Sequence, residues 1–309
     1  MVNSSERGIA EFRISPYGRQ LSPTQRSVLC TFDIITGERH ELFVTNSLLE
    51  APNWTPDGKF LIFNAGGQLW RFPIAGSIPQ LIDTGTLSNL NNDHLISPDG
   101  EWFYVSANDG HLYKLDSAGG NPVRVSNTHS EPFRYFLHGV SPDGTELAFV
   151  AIEGSEPAAR RNIFTIPADG GEDKRLSDTE KANDGPEYSP DGKWIYFNSE
   201  LTSKTLGHAQ IFRMKRDGSG IQQMTYDNRV NWFPHISPDG EHVVFLSYPP
   251  GTRGHPADKD VIIRLMKAEG GEIRDLVSFF GGQGTINVNS WAPDSRTFAY
   301  VEYPEASAI

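Results

Sequence analysis

The 309-residue sequence lacks the signatures of several protein classes. Cys30 is its only cysteine, so neither an internal disulfide nor a cysteine-based zinc site can form. Neither a Gly-x-Ser-x-Gly elbow nor a His-Glu-x-x-His motif occurs, which removes two common hydrolase signatures. No apolar run approaches the roughly 18 residues of a membrane helix. The polar N-terminus lacks the apolar stretch of a signal peptide, so we expect a cytoplasmic protein.

Positive charge is also scarce. The chain has 27 Lys and Arg against 39 Asp and Glu, a net charge of −12. General nucleic-acid binders need a basic surface that displaces counterions from phosphates. We therefore expect no nucleic-acid partner and, without an apolar span, no membrane partner. An anionic small molecule is still compatible with this balance, because binding it needs only a local arginine.

The sequence contains many copies of one turn motif. Ser-Pro-Asp-Gly, or a close variant, occurs six times at intervals of 42 to 55 residues, with its prolines at Pro56, Pro98, Pro142, Pro190, Pro238 and Pro293. Proline presets the second turn position, and glycine ends the turn at little steric cost. The interval is typical of propeller blades with four strands each.

The segments around each motif predict an all-β, six-bladed β-propeller. Each motif precedes an apolar strand, and a third and a short fourth strand follow. The last repeat lacks its third and fourth strands, and residues 29–32 and 41–44 match them. We therefore predict that N-terminal strands complete the last blade and close the ring. The predicted organisation is an N-terminal extension over 1–26, one propeller domain over 27–303 and a tail over 304–309.

Histidines gather where the channel-lining strands begin, at the mouth opposite the motif turns, which we call the upper mouth. His94 and His138 share a register before their motifs and are expected to face the same way. His235 and Glu187 share a register one residue away. These four residues are the predicted catalytic set and also the predicted ligands of a divalent metal, Mn²⁺, Zn²⁺, Fe²⁺ or Ca²⁺. Metal-free acid–base chemistry, or simple binding of water in the channel, explains the same residues.

The predicted substrate-binding residues surround this mouth. Long loops between second and third strands occur only in the third, fourth and fifth repeats, and the proline-rich loop 248–260 is the longest. Aromatic rings beside carboxamides suit sugars, and arginines suit a carboxylate. The predicted set is Asn92, Asp93, Arg134, Asp184, Asn231, Trp232, Arg253, His255, Asp258, Gln283 and Asn289.

Over residues 27–303 the repeats resemble the WD40-like repeat of TolB-type propellers. The resemblance implies a six-bladed fold, and a protein or peptide partner as one function. More distantly, Phe233-Pro234-His235 and the proline-rich loop after it resemble oligogalacturonate lyases, propellers with a histidine-bound metal at the ring centre. Where that family has a closely spaced histidine pair before the final motif, this chain has Val288-Asn289-Ser290.

Two functions are therefore expected from the sequence. The first is a small-ligand-binding or catalytic propeller that acts on a carbohydrate or sugar acid by lyase- or isomerase-like proton abstraction, as the lyase resemblance implies. The second is a non-catalytic TolB-like module that binds a protein or peptide. A convergent cluster of titratable groups at the upper mouth favours the first, whereas an exposed apolar face would favour the second.

Overall fold

The computed structural model describes residues 12, 14–15, 18–76 and 78–305. Residues 1–11, 13 and 16–17 of the predicted extension, and 306–309 of the predicted tail, lie outside the described residues. The described part contains 23 strands and no helix. Accordingly, it offers no helical segment with the length and apolar character needed to cross a membrane.

The strands form six antiparallel sheets arranged as a six-bladed β-propeller. The inner strands of blades 1 to 5 are β3 Glu50–Trp54, β7 Leu90–Ile96, β11 Phe133–Val140, β15 Asn183–Tyr188 and β19 Val230–Ile236. The second strands are β4 Phe60–Ala65, β8 Trp102–Ala107, β12 Glu146–Glu153, β16 Trp194–Ser199 and β20 His242–Tyr248. The third strands are β5 Gln68–Pro73, β9 Leu112–Asp116, β13 Arg160–Pro167, β17 Gln210–Lys215 and β21 Lys259–Lys267. The outer strands are β6 Gln80–Leu81, β10 Val123–Arg124, β14 Lys174–Arg175, β18 Gln222–Gln223 and β22 Arg274–Gly281.

The sixth blade joins the two ends of the chain, which confirms the predicted ring closure. Its strands are β23 Thr297–Glu302, β1 Ser27–Asp33 and β2 Arg39–Thr45, in the order β2-β1-β23. Its innermost position is reduced to one isolated bridge between Trp291 and Phe298. Arg39 donates to both carboxylate oxygens of Glu302, at 2.8 and 3.0 Å. This bidentate pair ties β2 to β23 across β1.

The repeated motif forms the turns of the lower face. In the third copy, Ser141 Oγ donates to Asp143 Oδ1 at 2.5 Å, and the backbone N of Glu146 donates back to Ser141 Oγ at 3.0 Å. Gly144 has φ +70°, and a Cβ placed on it would lie 3.7 Å from Pro98 of the preceding copy. Successive motif turns therefore contact one another around the ring, so the motif is used for structure.

A column of large side chains packs between the blades. It occupies the same position in all six second strands and is at most 1% exposed, at Phe63, Val105, Phe149, Phe197, Phe245 and Tyr300. Burying one such side chain contributes about 1.5–3 kcal/mol. This packing holds the inner strands in a ring and leaves the channel between them for other side chains.

Candidate functional site

A cavity of about 1060 Å³ occupies the upper end of the central channel. Five of its wall residues stand at one repeat position, the fifth before each motif, where the inner strand begins: Glu50, Asn92, Phe136, Asp184 and Asn287. In blade 5 this position is Trp232, and its neighbour Phe233 lines the cavity instead. The ring geometry therefore converges one side chain from each blade on a single space.

Bulges in the inner strands decide which further side chains enter the cavity. The pairing of each inner strand with its second strand is interrupted, between Glu50 and Asn53, Leu90 and His94, Leu137 and Gly139, Asp184 and Glu187, and Trp232 and His235. Ala51, Gly185 and Phe233 occupy the same position of three bulges with left-handed φ values of 53°, 60° and 53°. A bulge adds a residue on one strand and re-aims its side chain.

His138 occupies such a bulge and forms the charged centre of the cavity with Asp184. Its Nε2 lies 3.2 Å from Asp184 Oδ1. Burial alone would lower the pKa of His138, but the charges of Asp93 and Asp184 outweigh burial and raise that pKa to about 9. Burial would raise the pKa of Asp184, yet the hydrogen bond and charge of His138 hold it below its usual value. At neutral pH the two groups form a buried ion pair.

Glu50 and Asp93 behave differently, although they line the same cavity. Burial raises the pKa of Glu50 to about 7, with the charge of Asp93 adding to the rise and that of Arg19 opposing it. Burial raises the pKa of Asp93 to about 6, where the charge of His138 opposes and that of Asp184 adds. Within the described residues neither carboxyl takes part in an ion pair. Two carboxyl groups that titrate near neutral pH therefore face one cavity.

The proline-rich loop between β20 and β21 supplies another wall. His255 in this loop donates through Nδ1 to Gln283 Oε1 at 2.5 Å, and its Nε2 lies 4.0 Å from Asp184 Oδ2. Burial holds the pKa of His255 below its usual value, against the charge of Asp184. The ring of Phe233 lies 5.1 Å from that of His255 and is stacked 6.0 Å from that of His138. Aromatic faces and polar groups thus alternate around the wall.

Residues 18–26, which we call the N-terminal strap, line the cavity beside blades 5, 6 and 1. Arg19 Nη1 lies 3.1 Å from Asp258 Oδ1, and its guanidinium stands 4.1 Å above the ring of Tyr303. Gln25 Nε2 donates to the same Asp258 oxygen at 2.7 Å. One carboxylate in the proline-rich loop therefore anchors the strap at two points.

Several predicted site residues come together around this cavity. The predicted catalytic residue His138 lies on its wall, as do the predicted substrate-binding residues Asn92, Asp93, Asp184, His255 and Gln283. Asp258 reaches the cavity indirectly, by anchoring the strap. The upper mouth is therefore where titratable groups do converge.

His94 lies elsewhere, and the expectation that it faces the same way as His138 is wrong. Its Nε2 lies 3.3 Å from the carbonyl oxygen of Ile62 in the neighbouring blade, and the residue is 1% exposed. Burial lowers the pKa of His94 to about 4. The physical reason is the bulges: His94 pairs with Val105 after its bulge, whereas His138 stands inside one.

His235 and Glu187 form a separate buried joint between blades 4, 5 and 6. His235 Nδ1 lies 2.6 Å from Glu187 Oε2, and His235 Nε2 lies 2.8 Å from the carbonyl oxygen of Ile286. Glu187 Oε1 accepts from the backbone N of Ile236 at 2.8 Å and from Asn289 Nδ2 at 2.7 Å. All side-chain nitrogen and oxygen atoms of His235 and Glu187 therefore make hydrogen bonds inside the protein.

The remaining predicted binding residues have local partners. Asn231 Nδ2 bonds Gln210 Oε1 at 3.2 Å, within buried strands. The Trp232 ring lies 4.4 Å from that of His255, and Arg134 stands 5.2 Å above the ring of Phe136, so both support wall residues from behind. Arg253 packs closely against Gly207. None of these four lines the cavity.

The predicted metal ligands do not fit one ion. His138 lies in the cavity, His94 between blades, and His235 with Glu187 in the joint described above. Among the described residues, the group whose ligand atoms all lie within 4.8 Å of one another is Asp239, Glu241 and His242. That group sits on a motif turn of the lower face, away from the cavity.

Sequence reasoning missed several wall residues, most importantly Glu50 and Arg19. The predicted set includes Asn92, Asp184 and Trp232 from the fifth position before a motif, but it does not treat that position as a ring of wall residues, although it faces the cavity in five blades. The signal was present, because that position reads Glu, Asn, Phe, Asp, Trp and Asn around the ring. Arg19 lies outside the repeats, and no periodic signal could have placed it.

Three comparisons show what the chain is similar to. A family model described as the TolB beta propeller domain matches residues 138–308. An uncharacterized protein of Agrobacterium fabrum is 42% identical over 286 residues, covering 91% of this chain and 93% of that protein. A solved structure from Agrobacterium tumefaciens with a provisional TolB name is 41% identical, has a TM-score of 0.83, and covers 91% of this chain and 99% of that one. An oligogalacturonate lyase in complex with manganese is 17% identical, with a TM-score of 0.57 over 85% of this chain and 74% of that one, which shows a shared fold alone.

Proposed function

Because this chain belongs to the TolB β-propeller family, whose fold by itself specifies no reaction, we propose a function from the cavity. The cavity binds a small carbohydrate, and the carboxyl groups on its wall transfer protons to and from that ligand. The volume of about 1060 Å³ is at the upper end of the range for small-molecule sites.

The observation that carries this proposal is the pair of carboxyls with shifted pKa values. General acid–base catalysis works best when the catalytic pKa lies near the working pH. The pKa values of Glu50 and Asp93, about 7 and about 6, meet this condition. Beside them, His138 and Asp184 are shifted in opposite directions and stay charged. Neighbouring titratable groups whose pKa values are shifted in opposite directions are typical of the sites of acid–base enzymes.

The other wall residues are suited to binding a carbohydrate. Asn91, Asn92 and Asn287 offer amide donors and acceptors for hydroxyl groups. Phe136 and Phe233 line the cavity with aromatic rings, which suit the apolar face of a sugar ring. A sugar acid is less well served, because the cavity's Arg19 and His138 already contact Asp258 and Asp184.

The proposed chemistry is lyase- or isomerase-like proton abstraction. The Asp93 carboxylate removes a proton from the carbon beside a carbonyl, while the Glu50 carboxylic acid protonates the carbonyl oxygen. In an isomerase, Asp93 then returns its proton to the former carbonyl carbon, while Glu50 takes the proton from the hydroxyl oxygen on the neighbouring carbon. In a lyase the Glu50 proton goes instead to the oxygen that leaves from the next carbon. Both routes need only these two carboxyls in opposite protonation states.

Manganese belongs to the distant lyase relative and does not enter this proposal. The histidines that the sequence suggested as ligands point to three different places, as described above. We therefore derive no step through a metal. The competing proposal, a module that binds a protein or peptide, follows from the family alone and gives the cavity carboxyls no role.

The test combines a binding screen with an exchange measurement. Thermal melts with neutral sugars, amino sugars and sugar acids identify a ligand; saturation at one hundred times the Kd stabilises the protein by about 2.7 kcal/mol. The ligand is then incubated with protein in D₂O, and deuterium beside the carbonyl is followed by NMR. Glu50→Gln and Asp93→Asn should each reduce exchange by roughly 100-fold or more, whereas Glu172→Gln, at an exposed position, should leave it unchanged. The proposal fails if no sugar shifts the melt or if the cavity variants exchange normally.

A further inference from the structure

The charges of the cavity do not balance, and this inference rests on the proposed carbohydrate cavity. Its cations are matched by acids: Arg19 by Asp258 at 3.1 Å, and His138 by Asp184 at 3.2 Å. Arg161, at the rim, is paired with Glu156. Each of these described cations therefore contacts an acid other than Glu50 or Asp93.

Glu50 and Asp93 are the acids of the wall that no described cation contacts directly, because the charges of Arg19 and His138 act on them only from a distance. Glu50 Oε1 accepts one long bond, from Asn92 Nδ2 at 3.4 Å. Asp93 is only 4% exposed, and its Oδ2 accepts from Asn91 Nδ2 at 3.1 Å. Asp93 Oδ1 has no hydrogen-bond partner among the described residues, although the side chain lines the cavity. Asp93 is buried and Glu50 is half-buried; carboxylates in such places are normally paired or hydrogen-bonded, so a ligand donor would add to the few bonds that these two make.

We infer that the carbohydrate bound in the cavity carries an amine, and that its ammonium group is held by Asp93 and Glu50. Hydrogen bonds between an ammonium and a carboxylate are about twice as strong as those between neutral groups. A ligand carboxylate at the same place would meet the like charge of Asp93, and a second one in the fraction of molecules in which Glu50 is ionised. The charge of the wall thus selects amino sugars over neutral sugars, and neutral sugars over sugar acids.

A metal ion fits this pair less well than an ammonium. A metal needs several ligand atoms gathered around one point, and no three of the described acids and histidines of the cavity have ligand atoms that all lie within 4.8 Å of one another. An ammonium on a sugar ring has three donors that can reach separate acceptors. The sugar ring also uses the aromatic wall, which a bare ion does not.

Calorimetric titration with three sugars of the same ring tests the inference: glucose, glucosamine and glucuronate at about pH 7, where an amine is mostly protonated. We expect glucosamine to bind about tenfold more tightly than glucose, and glucuronate more weakly than glucose. In Asp93→Asn and in Glu50→Gln the ratio of glucosamine to glucose affinity should fall to about one. In Glu172→Gln it should keep the wild-type value.

The outcomes separate this inference from the proposed function. If glucose and glucosamine bind equally, or if glucuronate binds best, the amine is not recognised and the inference is overturned, while the carbohydrate site stands. If glucosamine binds only when MnCl₂ is present, a metal is the cation and the inference is again overturned. If no sugar binds, the proposed function falls and the inference with it.

Discussion

Replacing Glu187 by leucine should destabilise the propeller strongly without touching the cavity. Glu187 is 6% exposed and accepts three hydrogen bonds, from His235 Nδ1, the backbone N of Ile236 and Asn289 Nδ2. Leucine has a similar volume but accepts none of them. Both nitrogens of His235 face oxygens, Nδ1 that of Glu187 and Nε2 the carbonyl oxygen of Ile286. In Glu187→Leu the donors at His235, Ile236 and Asn289 would lose their acceptor inside the protein.

A buried donor or acceptor left without its partner costs about 1–3 kcal/mol. The orphaned Ile236 and Asn289 donors belong to the same network, so their loss is not simply additive. We therefore expect about 4 kcal/mol. With an unfolding entropy of about 2.1 cal/mol/K per residue, a ring of this size should lose about 7 °C in Tm.

Glu187→Gln is the matched control for this prediction. Its amide oxygen can still accept from Ile236 and Asn289, while its NH₂ donates to His235 Nδ1. His235 can still donate from Nε2 to the carbonyl oxygen of Ile286. We expect this variant to lose at most about 1 kcal/mol in urea unfolding or calorimetry. A Leu variant that loses little stability, or a Gln variant that loses as much as the Leu variant, would refute the argument that the hydrogen bonds of Glu187 hold these blades together.

Two further predictions concern the cavity and its strap. Because folding raises the pKa of Glu50 from 4.5 to about 7, the stability linked to this group is present below 4.5 and is lost as pH rises through 7. Wild-type protein should therefore melt lower at pH 8 than at pH 5.5, and Glu50→Gln should reduce that difference; an unchanged difference would contradict the burial of this carboxyl. Asp258→Ala removes the acceptor shared by Arg19 and Gln25, so hydrogen exchange over residues 18–26 should rise several-fold while blade strands keep their protection. Equal exchange in mutant and wild type would show that the anchor lies elsewhere.

The blades were predictable because their signal is repeated. Six copies of one turn set the strands, and the missing third and fourth strands of the last copy pointed to residues 29–32 and 41–44. The large inter-blade residues, such as Phe149 and Phe245, followed from the same register. One degenerate copy of the motif does not hide the pattern of the other five, so the sequence predicts the fold reliably.

The wall of the cavity was predictable only in part, because each inner strand breaks its own register. Counting alternate residues from the motif puts His94 and His138 on one face, but a bulge places His138 in the cavity and leaves His94 between blades. Ala51 and Phe233 have positive φ values. Because neither is a glycine, the sequence does not indicate this backbone conformation. Which buried carboxyls lack a cation likewise depends on contacts between blades that are far apart in sequence.

Closure of the ring by both ends of the chain has a consequence for synthesis. Val28 pairs with Glu302, so the sixth blade cannot form until residue 302 has left the ribosome. At 5–20 residues per second, β1 waits roughly 15–60 s with one edge unpaired. An unpaired strand edge is a template for wrong pairing. The yield of folded protein should therefore depend on how well the cell shields β1 and β2 while the other five blades assemble.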